Sequence, residues 1–76
     1  MKELVAHISA ALVDSPDQVQ VSQSEVDGTI TIELTVAQED LGKVIGKQGR
    51  TAKAMRTLLS ASAARDGKKT RLDILE

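Results

Sequence analysis

The residues best suited to chemistry lie in one run, Val44-Ile45-Gly46-Lys47-Gln48-Gly49-Arg50. Two glycines stand three positions apart and enclose Lys47 and Gln48. Glycine at both ends permits a tight turn and removes the Cβ atoms that would hold another backbone at a distance. Apolar periodicity on both sides predicts helices. The second helix therefore aims its first N–H groups and its positive dipole end at the gap, which makes a ready anion site. Lys47 and Arg50 add charge there. Lys43 lies one turn before, Lys53 one turn after, and Arg56 continues the line, so that Leu41 to Arg56 holds five bases and no acid. The chemistry this suits is a non-covalent grip on a phosphodiester strand, in which phosphate contacts give position rather than sequence. The candidate contact residues are Gly46, Lys47, Gln48, Gly49 and Arg50, with Lys43, Lys53 and Ile45. Base preference is assigned to a groove beside the loop, floored by Val44 or Ile45 and by the Ile30–Val36 stretch.

Other chemistries fit less well. Gly42-Lys43-Val44-Ile45-Gly46-Lys47-Gln48 has the outline of a nucleotide-binding P-loop, but only three residues separate its glycines, and Gln48 stands where a Ser or Thr must hold magnesium. A helix–turn–helix corner that binds nothing also uses paired glycines; the flanking bases and the order of elements favour binding over that bland reading. His7, on the polar side of its helix, has no partner spacing that suggests a catalytic triad. No enzyme activity and no cofactor are expected.

The elements that must position the loop follow from periodicity. Leu4, Val5, Ile8, Ala11 and Leu12 recur at helical spacing from Lys2 to Val13. Asp14-Ser15-Pro16-Asp17 stops that helix, because proline disfavours helix at the residue before it. Val19 and Val21 alternate with polar neighbours in a strand that extends to Val26. Ile30, Ile32, Leu34 and Val36 alternate with Thr29, Thr31, Glu33 and Thr35 in the clearest strand of the chain. Asp27-Gly28 between them reads as a hairpin turn. Asp40 is expected to cap the short helix of Leu41, Val44 and Ile45. A longer helix runs from Arg50 to about Arg65 with Ala52, Met55, Leu59 and Ala63 along one side, and Asp66-Gly67 ends it. Thr70 to Leu75 is a third strand. The order helix, strand, strand, helix, helix, strand predicts an α+β fold, a three-stranded sheet with helices on one face.

Composition narrows the function further. Seventy-six residues make one domain, 1–76, at most. There is no Phe, Tyr or Trp, so base-stacking platforms built on aromatic rings are excluded. With no cysteine and one histidine, disulfides and Cys- or His-rich metal sites are excluded as well. No stretch is apolar enough for a membrane span, and the start lacks a signal-peptide pattern, so the expected location is the cytoplasm. The net charge of −1 hides a division: residues 1–40 carry one base and eight acids, and residues 41–76 nine bases and three acids. Such asymmetry fits a polyanion partner for the second half and, equally, a chance segregation of charges on a solvated surface.

The stretch Asp40-Leu41-Gly42-Lys43-Val44-Ile45-Gly46-Lys47-Gln48-Gly49-Arg50 closely resembles the KH signature of the small bacterial RNA-binding proteins of the KhpA (YlqC) family, and the likeness extends over the whole chain. The resemblance implies a type II KH domain in the order α-β-β-α-α-β, with a GxxG loop that binds single-stranded RNA without catalysis. It implies an RNA chaperone or post-transcriptional regulator linked to control of cell shape and elongation. Its implied partners are single-stranded RNA, a second copy of the chain in a homodimer, and a larger KhpB-type KH protein in a heterodimer, with no membrane. A reading of a different class is a protein–protein adaptor, in which Ala61, Ala63 and Ala64 let another helix approach the long helix closely.

Overall fold

The computed structural model describes residues 1–75. Helix α1 spans Lys2–Leu12. It buries Val5 and Ser9 and half-buries Ile8, while Leu4 and Leu12 stay exposed, so the expected apolar stripe covers the core with its Val5 edge only. Val13 leaves the helix in an extended conformation, and Pro16 opens a single 3-10 turn, Pro16–Gln18. Val19 falls in the exit from that turn. Strand β1 therefore begins at Gln20 and runs to Val26.

The hairpin to β2, Thr29–Thr35, turns at Asp27 and Gly28, both with positive φ (51° and 78°). Two left-handed residues match the twist of the flanking strands. Residues Gln20 to Val26 pair antiparallel with Thr35 to Thr29. A 3-10 turn, Gln38–Asp40, leads into helix α2, Leu41–Ile45, and after the loop helix α3 runs Arg50–Ala64. The end of α3 is a Schellman turn: Gly67 at φ 69° donates its N–H to Ala64 O at 3.1 Å, and Lys68 N–H reaches Ala63 O at 3.0 Å. Strand β3, Lys69–Leu75, then pairs parallel to β2, which gives the sheet order β1-β2-β3.

The pleat decides the two faces of this α+β sheet. Ile30, Ile32 and Leu34 of β2 and Leu72 of β3 are buried against Val5 of α1, Val44 of α2, and Met55, Leu59 and Ala63 of α3. The opposite face carries Thr29, Thr31, Glu33, Arg71 and Asp73, none of them fully buried. A core without aromatic rings is thus built from aliphatic side chains and Met55. Burial of a side chain such as Leu34, 0% exposed, contributes about 2–3 kcal/mol. Along α3 the buried residues are Ala52, Met55, Leu59 and Ala63, as the periodicity predicts, and Leu58 is half exposed. Ala63 is therefore not free to meet another helix, whereas Ala61 and Ala64 are exposed.

Candidate nucleic-acid interface

Helix α2 is one short turn, and Gly46 ends it. The Gly46 N–H closes the helix on Gly42 O at 2.8 Å, and Gly46 then adopts φ 79°, ψ 169°, a region open only to glycine. A Cβ at Gly46 would also overlap Thr51, lying 2.8 Å from its Cβ and 2.9 Å from its backbone nitrogen. Gly46 is required by the protein itself, since the first turn of α3 packs directly on it. Gly49 differs. It is left-handed at φ 73°, ψ 12°, but a Cβ there would meet nothing within 4 Å. The space over Gly49 is open to a ligand.

Between the glycines the chain makes one 3-10 turn, Lys47–Gly49, with Gln48 left-handed at φ 58°, ψ 26°. Gly49 N–H bonds to Gly46 O at 3.1 Å and Arg50 N–H to Lys47 O. The N–H groups of Lys47 and Gln48 have no acceptor among the described residues. Successive amides bent by a left-handed residue make a concave donor surface for an anion. The Gln48 side chain is held by Arg50, whose Nη2 donates to Oε1 at 3.0 Å. Lys47 and Lys53 are exposed and have no carboxylate partner among the described residues. Lys47, Gln48, Gly49, Arg50 and Lys53 thus come together at the start of α3.

Lys43 is placed otherwise. Its Nζ donates to Asp14 Oδ2 at 2.7 Å and to Asp40 Oδ1 at 3.3 Å. These bonds raise its pKa above the ordinary 10.5, and its charge is already matched. Asp40 also departs from expectation. It stands before α2 but makes no capping bond to that helix's backbone. Its carboxylate, 0% exposed, instead accepts the backbone N–H of Asp14 at 3.2 Å and of Ser15 at 3.0 Å, besides Lys43. Burial pushes the Asp40 carboxyl up, and the two amides with Lys43 outweigh it and hold it below its ordinary 3.8. The group fastens the turn after α1 to the root of α2. Nothing local in the sequence signals this, because its backbone donors lie 25 and 26 positions away.

The residues expected to floor a groove beside the loop are mostly covered by the fold. Val44 and Ile32 are 0% exposed and belong to the core, while Ile45 is 36% exposed. The strand beside α3 is β3, the sheet edge, and the seam between them is lined by Arg56, Leu59, Ser60, Thr70, Arg71 and Leu72. The apolar face of β2, with Ile30, Ile32 and Leu34, is the one the helices cover. Arg56, outside the first set of candidates, donates Nη2 to Leu72 O at 3.2 Å across this seam.

Among the described residues no helix is long and apolar enough to cross a membrane, and no cluster of His, Asp and Glu fits a metal ion.

Comparison with known proteins agrees with this geometry. A family profile described as "KhpA/KhpB, KH domain" matches residues 2–74. A protein of Halalkalibacterium halodurans named RNA-binding protein KhpA is 53% identical over 76 residues, covering all of both chains. The protein of that name from Clostridium acetobutylicum is 51% identical over 75 residues, 99% of this chain and all of its own. That of Listeria monocytogenes is 49% identical over the full length of both. These names describe RNA-binding proteins and not enzymes. Identity at this level, sustained from one end to the other, leaves no room for a different fold, and the chain belongs to the KhpA/KhpB KH-domain family.

Proposed function

We propose that the chain is a single KH domain that binds single-stranded RNA through the Gly46–Gly49 loop. The observation that carries this is the pair of amides, Lys47 and Gln48, without an acceptor among the described residues, set beneath open space at Gly49 and flanked by Lys47 and Lys53, which have no carboxylate partner among those residues. Phosphate oxygens take the two N–H bonds. Lys47, Arg50 and Lys53 supply the attraction, and the names of the relatives make RNA the polyanion. Lys43 contributes field and not a contact, because Asp14 and Asp40 hold it. Ile45 offers apolar surface beside the loop. Only a few phosphates fit, so one domain binds weakly and the affinity falls with salt at a slope near about −0.7 per phosphate neutralised.

In the cell this activity fits an RNA chaperone or post-transcriptional regulator of the cytoplasm, linked to cell-shape and elongation control, as the family resemblance implies. The test is fluorescence anisotropy of a labelled single-stranded RNA at two salt concentrations, with the natural protein and Lys47→Asp/Gln48→Asp. Asp tolerates the left-handed conformation at position 48 better than most residues, so circular dichroism should show both proteins folded. Salt-sensitive binding by the natural protein and about tenfold or greater loss in the variant is the expected result. Equal binding by both would remove the loop from the interface.

A second reading has its own observation. Leu58 is 50% exposed on the outer side of α3, in a shallow apolar hollow with Ala54 and Thr57. That face suits docking on a second copy or on a KhpB-type partner. If it is used, Leu58→Lys weakens association in sedimentation velocity and spares RNA binding.

A further inference from the structure

Helix α1 is fastened to the rest of the molecule unevenly. It lies outside the sheet, and every strand pairing in β1-β2-β3 is made without it. Its body, Lys2–Leu12, fully buries only Val5 and Ser9. Ser9 is 0% exposed, and its Oγ has no hydrogen-bond partner among the described residues. A buried hydroxyl without a partner costs stability, and that cost is recovered when the helix lifts and water reaches it. Among the described residues one hydrogen bond joins the helix body to another element, from Lys2 N–H to Gln23 Oε1 at 2.9 Å, and it is exposed. The firm attachment lies past the end of the helix. There Asp14 and Ser15 give their N–H groups to Asp40, and the Asp14 carboxylate holds Lys43. Asp40 stands at the start of α2 and Lys43 within it, and the other end of α2 carries the Gly46–Gly49 loop.

We infer that α1 is a detachable clamp on the loop: it lifts away while the sheet and α3 stay folded, and lifting it loosens α2 so that the grip on RNA is lost. The second half of this rests on the RNA-binding reading above. The core that stays behind has Ile30, Ile32 and Leu72 of the sheet and Met55, Leu59 and Ala63 of α3. A segment with few buried apolar contacts opens at a lower free energy than the whole chain. With α1 lifted, Asp40 loses both amide donors and Lys43 loses Asp14. Helix α2 has five residues, far below the length that holds a helix together unaided, so its direction depends on that root. The loop then has a fixed start on the α3 side only. Linkage makes the effect reciprocal: if the docked form alone binds RNA, bound RNA holds α1 down.

The test is amide hydrogen exchange of the full chain, followed residue by residue by NMR. It compares the natural protein alone, the natural protein with a single-stranded RNA of mixed sequence at about ten times its Kd, and Ser9→Ala alone. In the natural protein, amides 8–12 of α1, beyond its first turn, should exchange at least about tenfold faster than those of β2 and the buried row of α3. RNA at that excess should slow them about tenfold. Ser9→Ala, which removes the unpartnered hydroxyl, should also slow them about tenfold. Exchange of α1 at the rate of β2 and α3 overturns the inference, because α1 then opens only when the whole chain unfolds. Fast exchange that bound RNA does not slow overturns it as well, since the loop then grips with α1 lifted. Unchanged or faster exchange in Ser9→Ala overturns the part given to the hydroxyl. If the protein binds no RNA, the RNA-binding reading fails and the coupling to the loop fails with it, while the exchange measured without RNA still decides whether α1 lifts.

Discussion

Asp40 and the Gly46–Gly49 loop stand at opposite ends of the same five-residue helix, and they dispose of their polar groups in opposite ways. At the Asp40 end the buried charge is matched: two backbone amides and one ammonium converge on a carboxylate with no exposure to solvent. At the loop end two amides and two lysines have no partner among the described residues. A buried charge is tolerated only when fully paired and hydrogen-bonded, whereas exposed donors remain solvated until a ligand arrives. So the chain builds a rigid root for α2 and an unsatisfied tip. Lys43 and Lys47, only four positions apart, fall on either side of this division.

The contrast fails first if the two loop glycines are equivalent. Gly46→Ala should be the most damaging change, because it forces both a glycine-only conformation and overlap with Thr51. A loss of about 3 kcal/mol or more in urea denaturation is expected. Gly49→Ala meets only the left-handed penalty, about 1–2 kcal/mol, with open space around it. Equal losses would show that the packing against Thr51 carries no weight.

The root is tested by pH. The Asp40 pKa is lowered on folding, so its contribution is complete above the unfolded value near 3.8 and is lost as pH falls through the folded value. Lys43 is raised, so its contribution is complete below 10.5 and is lost as pH climbs above the folded value. Asp40→Asn should lower the melting temperature by roughly 5–10 °C at pH 7 and flatten the acid limb of the stability profile below about pH 4. An unchanged acid limb would place the sensitivity in another carboxylate.

The smallest expected effect sharpens the comparison within the lysines. Lys47→Gln should reduce the salt slope of RNA binding by about 0.7 and leave stability nearly untouched. Lys43→Gln should do the reverse, lowering stability with little change in the slope. Matched slopes for the two variants would mean that Asp14 and Asp40 release Lys43 to the strand.

Much of this was legible in residue order alone. The helical and alternating periods are local, so α1, β2 and α3, and the buried row Ala52, Met55, Leu59 and Ala63, follow from side chains a few positions apart. The loop was legible for the same reason: Gly46, Lys47, Gln48 and Gly49 are contiguous, and their backbone conformation and charge need no distant partner to be anticipated. What the chain order could not decide was pairing across distance. Asp40 reads as a helix cap until the fold brings Asp14 and Ser15 to it. Lys43 reads as an unpaired cation until the same fold sets two carboxylates beside it. Alternation along β2 shows that one face is apolar, but not which element covers it. Only the parallel crossover that puts β3 at the edge against α3 makes Arg56 and Leu72 neighbours. Local periodicity and contiguous backbone chemistry belong to the sequence; the matching of charges and the walls of the groove arise from contacts between segments, which exist only once the chain has closed on its core.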